Sequence, residues 1–481
     1  MLKTSNINKT IPPEIMDFFD IAGNVALLVK GEPGTGKTIF SLQYIASQAE
    51  KGCGIYFSTR IDTTSLYSQF PWIRESIPPE NIVDATQSIV PRRMDVPQLI
   101  RFSSLPEFLK GLYTVVEERK SSGSPLIVVD SVDAVAASVG LSVEETCAKI
   151  VDAIRGAEIK TLIITERVEK TALDYICDGV ITFKKTFIDE RIFRELIIEK
   201  LRGTKILNSF YYFTLYKGQF IYFDRFSPVE RRKRIYEPHP VIKDGKGTKF
   251  YENGMFSTGS QEIDKLTNGF RKGSFILIEV VGEFPFEFLI DITAPIVENF
   301  MLQGRGVVVV SCKSISPRYF FNIFSNLVGR EVVEKYCKII APIGSNPEKT
   351  IPWLICTDRS MNKILEAIIK TIEQLKRDFN EEALVYLSFD RLEADLGSKN
   401  TEKIAIEIIS RIKFEEDLCI GIAFPNTEIT PKLREMADVV FRIFSKRGIV
   451  FVYGVHPPSI IYNINIDTSL PHPKMYFTPI T

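Results

Sequence analysis

Eight consecutive residues, GEPGTGKT at 31–38, carry the clearest chemistry in the chain. Gly31, Gly34 and Gly36 let the backbone turn successive N–H groups inward on an anion. A helix starting immediately afterwards adds the partial positive charge of its N-terminus. Lys37 is placed to bridge the β- and γ-phosphates of a nucleoside triphosphate, and Thr38 to hold Mg²⁺ through its hydroxyl. The candidate nucleotide-binding residues are therefore Gly31, Glu32, Pro33, Gly34, Thr35, Gly36, Lys37 and Thr38, with ATP and Mg²⁺ as expected ligands. Asp130 closes the apolar run LIVVD at 126–130 and suits a carboxylate that reaches the Mg²⁺ shell beside Thr38. Strand-end aspartates also serve as helix caps, which is the plainer alternative.

These residues need a frame. In the first half, short apolar runs at 25–30, 54–58, 126–130, 161–165 and 179–183 alternate with segments of helical spacing such as 36–50 and 104–119. That alternation predicts a parallel sheet covered by helices. Strand-like runs at 193–200, 210–216 and 219–223 then follow with short turns and predict an antiparallel extension. Residues 226–250 are rich in charge, Pro and Gly and read as a linker between domains at 1–225 and 251–481. The second half repeats the plan: LVYLSFD at 384–390 echoes LIVVD at 126–130, and MADVVFRI at 436–443 echoes CDGVITFK at 177–184. Aligning Asp130 with Asp390 and Asp178 with Asp438 gives one common offset, the mark of a duplicated domain. The expected architecture is two tandem α/β domains with mainly parallel central sheets.

Composition narrows the class. The 481 residues carry 60 basic and 60 acidic side chains, so no net charge draws the chain to nucleic acid or an anionic membrane. Seven scattered cysteines predict buried thiols in a reducing cytoplasm, and three histidines make a His-built metal site a poor fit. No run approaches the ~20 apolar residues of a membrane span.

Three further segments resemble the KaiC branch of the RecA superfamily. They are DYICDGVITF at 174–183, RELIIEKLRGTKI at 194–206, and STGSQEIDKLTNGFRKGS at 257–274, the last opening the second copy. FSTRIDTTSLYSQFPW at 57–72 and VPRRMD at 90–95 are similar to the archaeal gas-vesicle regulators of the GvpD type. The resemblance implies subunits in a ring with ATP at their junctions. It also implies that Lys200 and Arg202, which match the family's K-x-R pair, reach a neighbour's phosphates as trans-acting cations. A hairpin turn with solvated charges explains the same two residues equally well.

Two departures shape the expected function. KaiC-like ATPases place glutamates after the second strand, where one activates the attacking water. Here that place reads Ser58-Thr59-Arg60-Ile61-Asp62, leaving Asp62 as the candidate base and predicting slow hydrolysis. In the second copy the matching stretch, LIEVVGEFPFEFLI at 277–290, has no lysine and carries Phe284, Phe286 and Phe288. An aromatic, acidic loop cannot cradle a polyanion. The expected protein is therefore an ATP-binding, slowly hydrolysing regulator with one working and one silent copy, acting on its own assembly or on a protein partner. The alternative is a DNA-dependent ATPase, with Arg92-Arg93 and Arg231-Arg232-Lys233-Arg234 as phosphate contacts.

Overall fold

The computed structural model describes residues 10–21, 24–48, 54–86, 99–119, 125–226, 254–284, 286–311, 313–342, 351–467 and 474–481. Both arginine-rich stretches, and nearly all of 226–250, lie outside them. The chain divides into two compact units, Met1–Phe223 with Pro479–Thr481, and Asp224–Thr478.

In the first unit the central strands are β1 Ala26–Gly31, β2 Gly54–Ser58, β3 Ile82–Asp84, β4 Leu126–Asp130 and β5 Lys160–Thr165. Four more follow: β6 Gly179–Ile188, β7 Arg191–Leu201, β8 Phe210–Thr214 and β9 Ile221–Tyr222. They form one nine-stranded sheet in the order β3-β2-β4-β5-β1-β6-β7-β8-β9. Pairing is parallel from β3 to β6 and antiparallel from β6 to β9. The continuous apolar runs follow from burial on both faces. Leu27 and Val29 of β1 belong to one core, and Ala26 and Leu28 to the other. Because β1, β2, β4 and β5 run the same way, their carboxyl ends converge, and the 31–38 loop leaves β1 among them.

The second unit has its own ten-stranded sheet. Its strands are β12 Ser274–Val281, β13 Val307–Val310, β14 Cys337–Ala341, β15 Leu354–Cys356, β16 Leu384–Ser388, β17 Leu418–Ala423, β18 Val439–Lys446, β19 Ile449–His456, β20 Tyr462–Asp467 and β21 Lys474–Pro479. The order is β15-β14-β13-β16-β17-β12-β18-β19-β20-β21, and a small ribbon of β10 Met255–Phe256 and β11 Phe270–Arg271 precedes it. As in the first unit, the sheet is parallel up to the strand after the central one, here β18, and antiparallel from β18 to β20.

The two copies share bonds as well as topology. The N–H of Ala26 donates to Asp178 Oδ2 at 3.2 Å, and the N–H of Phe275 donates to Asp438 Oδ2 at 2.9 Å. Each aspartate's own N–H returns to the carbonyl of the same strand residue, at 2.9 Å in both units. The Asp178–Asp438 correspondence therefore holds. The Asp130–Asp390 correspondence does not. Leu126 pairs with Lys160 beside Ala26–Thr161, whereas Leu384 pairs with Leu418 beside Phe275–Cys419. This register sets Ser388 opposite Asp130. Asp390 lies two residues further on, in the helix Phe389–Leu396, where it accepts from Ser388 Oγ at 2.6 Å and the N–H of Lys313 at 3.1 Å. Two apolar runs aligned by a shared aspartate can slip, because hydrophobicity alone does not set register.

Candidate nucleotide site

The loop gets its shape from its glycines. Gly31, Gly34 and Gly36 have φ of 154°, 76° and 109°. A Cβ on Gly31 would stand 2.7 Å from the carbonyl oxygen of Phe183, and one on Gly36 would stand 2.9 Å from Leu215 Cδ2. Thr35 is buried and closes the turn on itself, its hydroxyl donating to Glu32 O at 2.8 Å. The helix Lys37–Gln48 then begins, with its first N–H groups facing the loop.

Lys37 lies across this turn, its ammonium donating to Gly31 O at 2.5 Å and Glu32 O at 2.9 Å. Burial pushes its pKa down to about 8; Asp130 opposes that shift and Arg60 adds to it. Among the described residues this ammonium is held by carbonyl oxygens alone, and such a group in a buried site gains strongly from a phosphate anion. Beside it, Thr38 Oγ1 donates to Asp130 Oδ2 at 2.7 Å, and the buried Tyr56 hydroxyl donates to the same oxygen at 2.5 Å. Burial and the neighbouring carboxylate raise the Tyr56 pKa far above its ordinary value, so the phenol stays protonated and remains a donor. Ser131 Oγ, next along, is buried and makes no hydrogen bond among the described residues. This all-oxygen set fits Mg²⁺: Thr38 and Asp130 would hold the ion, which would screen the phosphate charge.

A loop of this form at the end of a central parallel strand also has a match among known proteins. Residues 20–225 match the family described as "ATPase: KaiC". The first unit is a KaiC-like ATPase domain. Across 97% of its length the chain is 24% identical to Protein GvpD2 of Halobacterium salinarum, covering 96% of that protein. Protein GvpD1 of the same organism is 22% identical over the same shares. A UPF0273 protein of Aeropyrum pernix is 26% identical, with 44% of this chain covering 90% of it.

The other candidates of this KaiC-like domain fall in different places. Asp62 caps the helix Thr63–Gln69, accepting from the Ser65 N–H at 2.9 Å and the Ser65 hydroxyl at 2.8 Å. Thr59 is fixed to β4, its N–H on Asp130 O at 2.8 Å and its hydroxyl on Ser131 O at 3.0 Å. Arg60 forms an ion pair with Glu166, which follows β5. Glu166 is thus a carboxylate at the converging strand ends that sequence inspection missed, because it enters from β5 and not from the segment after β2. Tyr56 was missed for a related reason: a tyrosine inside an apolar strand reads as core.

Lys200 and Arg202 bind the segment leading into β6. Lys200 donates to the carbonyls of Asp174 and Cys177, both at 2.6 Å. Arg202, 55% exposed, donates to Asp178 Oδ1 at 3.3 Å. Asp178 in turn holds Ala26, at the opposite end of β1 from the loop. Six strand residues span about 20 Å, so neither cation serves the loop of its own chain. The β7 cation that does touch the loop is Arg194, donating to Gly34 O at 3.0 Å.

In the second unit β12 runs to Val281 before Gly282, two residues longer than β1, and pairs with β18 up to Phe444. Phe288 is buried there and packs edge-on against Phe284, with ring centroids 6.0 Å apart. The helix Phe286–Leu302 follows; the side chain of Phe286 lies outside the described residues.

Proposed function

We propose that this chain is an ATP-binding, slowly hydrolysing regulator, with nucleotide bound in the first unit only and its state controlling ring-like assembly or a protein partner. The observation that carries the reading is the single constellation of Lys37, Thr38 and Asp130 around the 31–36 turn. The matching stretch of the second copy, 277–290, carries no lysine. Within the site, Lys37 and the loop N–H groups orient the phosphates and Mg²⁺ supplies charge screening. Tyr56 holds the Asp130 carboxylate in place, and Glu166 is the carboxylate available to orient water. The similarity to the GvpD proteins over nearly the whole chain supports a regulatory role of the same kind.

Titration with a fluorescent ATP analogue tests the binding claim. One site per chain is expected, lost in Lys37→Ala; a second site would overturn the silent reading of 277–290. Light scattering in ATP and in ADP tests the switch, for which the mass or the set of bound proteins must differ between the two.

A further inference from the structure

We propose that Arg194 is a positioning residue for the phosphate loop, and that Pro479–Thr481 locks it in place; this rests on nucleotide binding at 31–38. Arg194 sits on β7 opposite Lys185 of β6 and is only 7% exposed. Its described donors all end on main-chain oxygens: Nη1 on Gly34 at 3.0 Å and on Thr35 at 3.4 Å, and Nε on Thr481 at 2.5 Å. A guanidinium presents several N–H donors in a fixed fork, so one rigid group can hold the loop and the distant segment together.

The segment is itself well seated. Thr214 Oγ1 donates to Pro479 O at 2.7 Å and accepts from the Thr481 N–H at 3.3 Å. Ile480 between them is 2% exposed. Leu215, next to Thr214, is the side chain that a Cβ on Gly36 would strike. The loop is thus flanked by Arg194 and Leu215, and the segment bonds Arg194 itself and Thr214, the residue before Leu215.

The consequence follows from peptide geometry. In a planar trans peptide the N–H points opposite to the C=O. Drawing the Thr35 carbonyl out towards Arg194 aims the Gly36 N–H the other way, into the turn where phosphates are held. At Gly34 a Cβ would meet nothing within 4 Å, so no side chain packs that apex from the direction of its missing Cβ. A glycine-rich loop has much backbone freedom to lose on binding. Fixing its carbonyls beforehand removes part of that cost.

The test uses the full chain, the fluorescent ATP analogue and amide hydrogen exchange. Arg194→Gln should weaken binding about tenfold, the scale of a lost charged hydrogen bond. Exchange at Gly36 and Lys37 should speed up while β1 stays protected. Ile480→Asp, which unseats the segment, should give a smaller loss in the same direction. The double variant should bind no more weakly than Arg194→Gln alone, because both act through one contact. Arg194→Lys keeps the charge but not the fork; it should lose several-fold, and it decides the matter should Arg194→Gln fail to fold. Unchanged affinity in the arginine variants, or fully additive losses in the double variant, would overturn the clamp. A wild-type chain that binds no nucleotide would sink the underlying reading instead.

Discussion

At the residue scale the site is a contiguous loop completed by side chains from three other strands. Thr38 and Tyr56 converge on one oxygen of Asp130, and Glu166 meets Arg60 across the strand ends. The loop was legible because its eight residues are adjacent and each type has one evident task. Tyr56 and Glu166 were not, because their roles exist only once β2, β4 and β5 lie side by side. Two predictions belong here. Glu166→Gln should lower steady-state phosphate release ~10-fold or more while analogue affinity stays within about twofold, as expected for a group that orients water; an unaffected rate assigns that task elsewhere. Tyr56→Phe should weaken Mg²⁺-dependent nucleotide binding by ~1.5 kcal/mol, the worth of one hydrogen bond to a carboxylate. Titrating Mg²⁺ at fixed analogue concentration measures it.

At the element scale the copies show how one framework accepts opposite chemistry. Lys30, four residues after Ala26, is buried and donates to Asp174 Oδ1 at 2.8 Å. Glu279, four residues after Phe275, is buried and accepts from Arg434 Nε at 2.7 Å and Arg442 Nη2 at 2.9 Å. Asp174 and Arg434 each stand four residues before the paired aspartates Asp178 and Asp438, so the same ion pair is present with reversed sign. A buried charge is costly unless paired, and the position has kept the pairing while exchanging the polarity. Glu279→Leu should therefore destabilise the second unit by about 2 kcal/mol, below the full buried-pair value because Arg434 can turn to solvent. Denaturant unfolding followed by near-UV signals measures it, and no change would mean that the pair contributes nothing net. The entry motif of the second copy is likewise structural. Asp264 accepts from Ser257 Oγ, Thr258 Oγ1 and the Thr258 N–H, and the ribbon β10–β11 flanks that turn.

At the scale of the whole molecule, Lys200 and Arg202 stand too far from their own loop to serve it, so a phosphate role for them requires a neighbouring chain. Arg202→Ala should then leave analogue affinity nearly intact while lowering turnover. Mixing it with Lys37→Ala chains should restore part of the activity, since each chain supplies what the other lacks. Co-assembled mixtures with no gain in phosphate release would exclude action across a junction.

By itself the sequence determined the phosphate loop, the alternating α/β plan, the duplication and the loss of the lysine in the second copy. Each of these is written in adjacent residues or in a short period along the chain, where local sterics and burial act directly. Only the tertiary structure decided the partners. It set Ser388 and not Asp390 opposite Asp130, because ladder pairing fixes register while apolar runs tolerate a slip. It gave Asp62 to a helix cap, brought Glu166 to the strand ends, and put Arg194 rather than Lys200 or Arg202 on the loop. These outcomes depend on which strands lie side by side and which of their ends converge, and that ordering comes from packing two apolar faces at once.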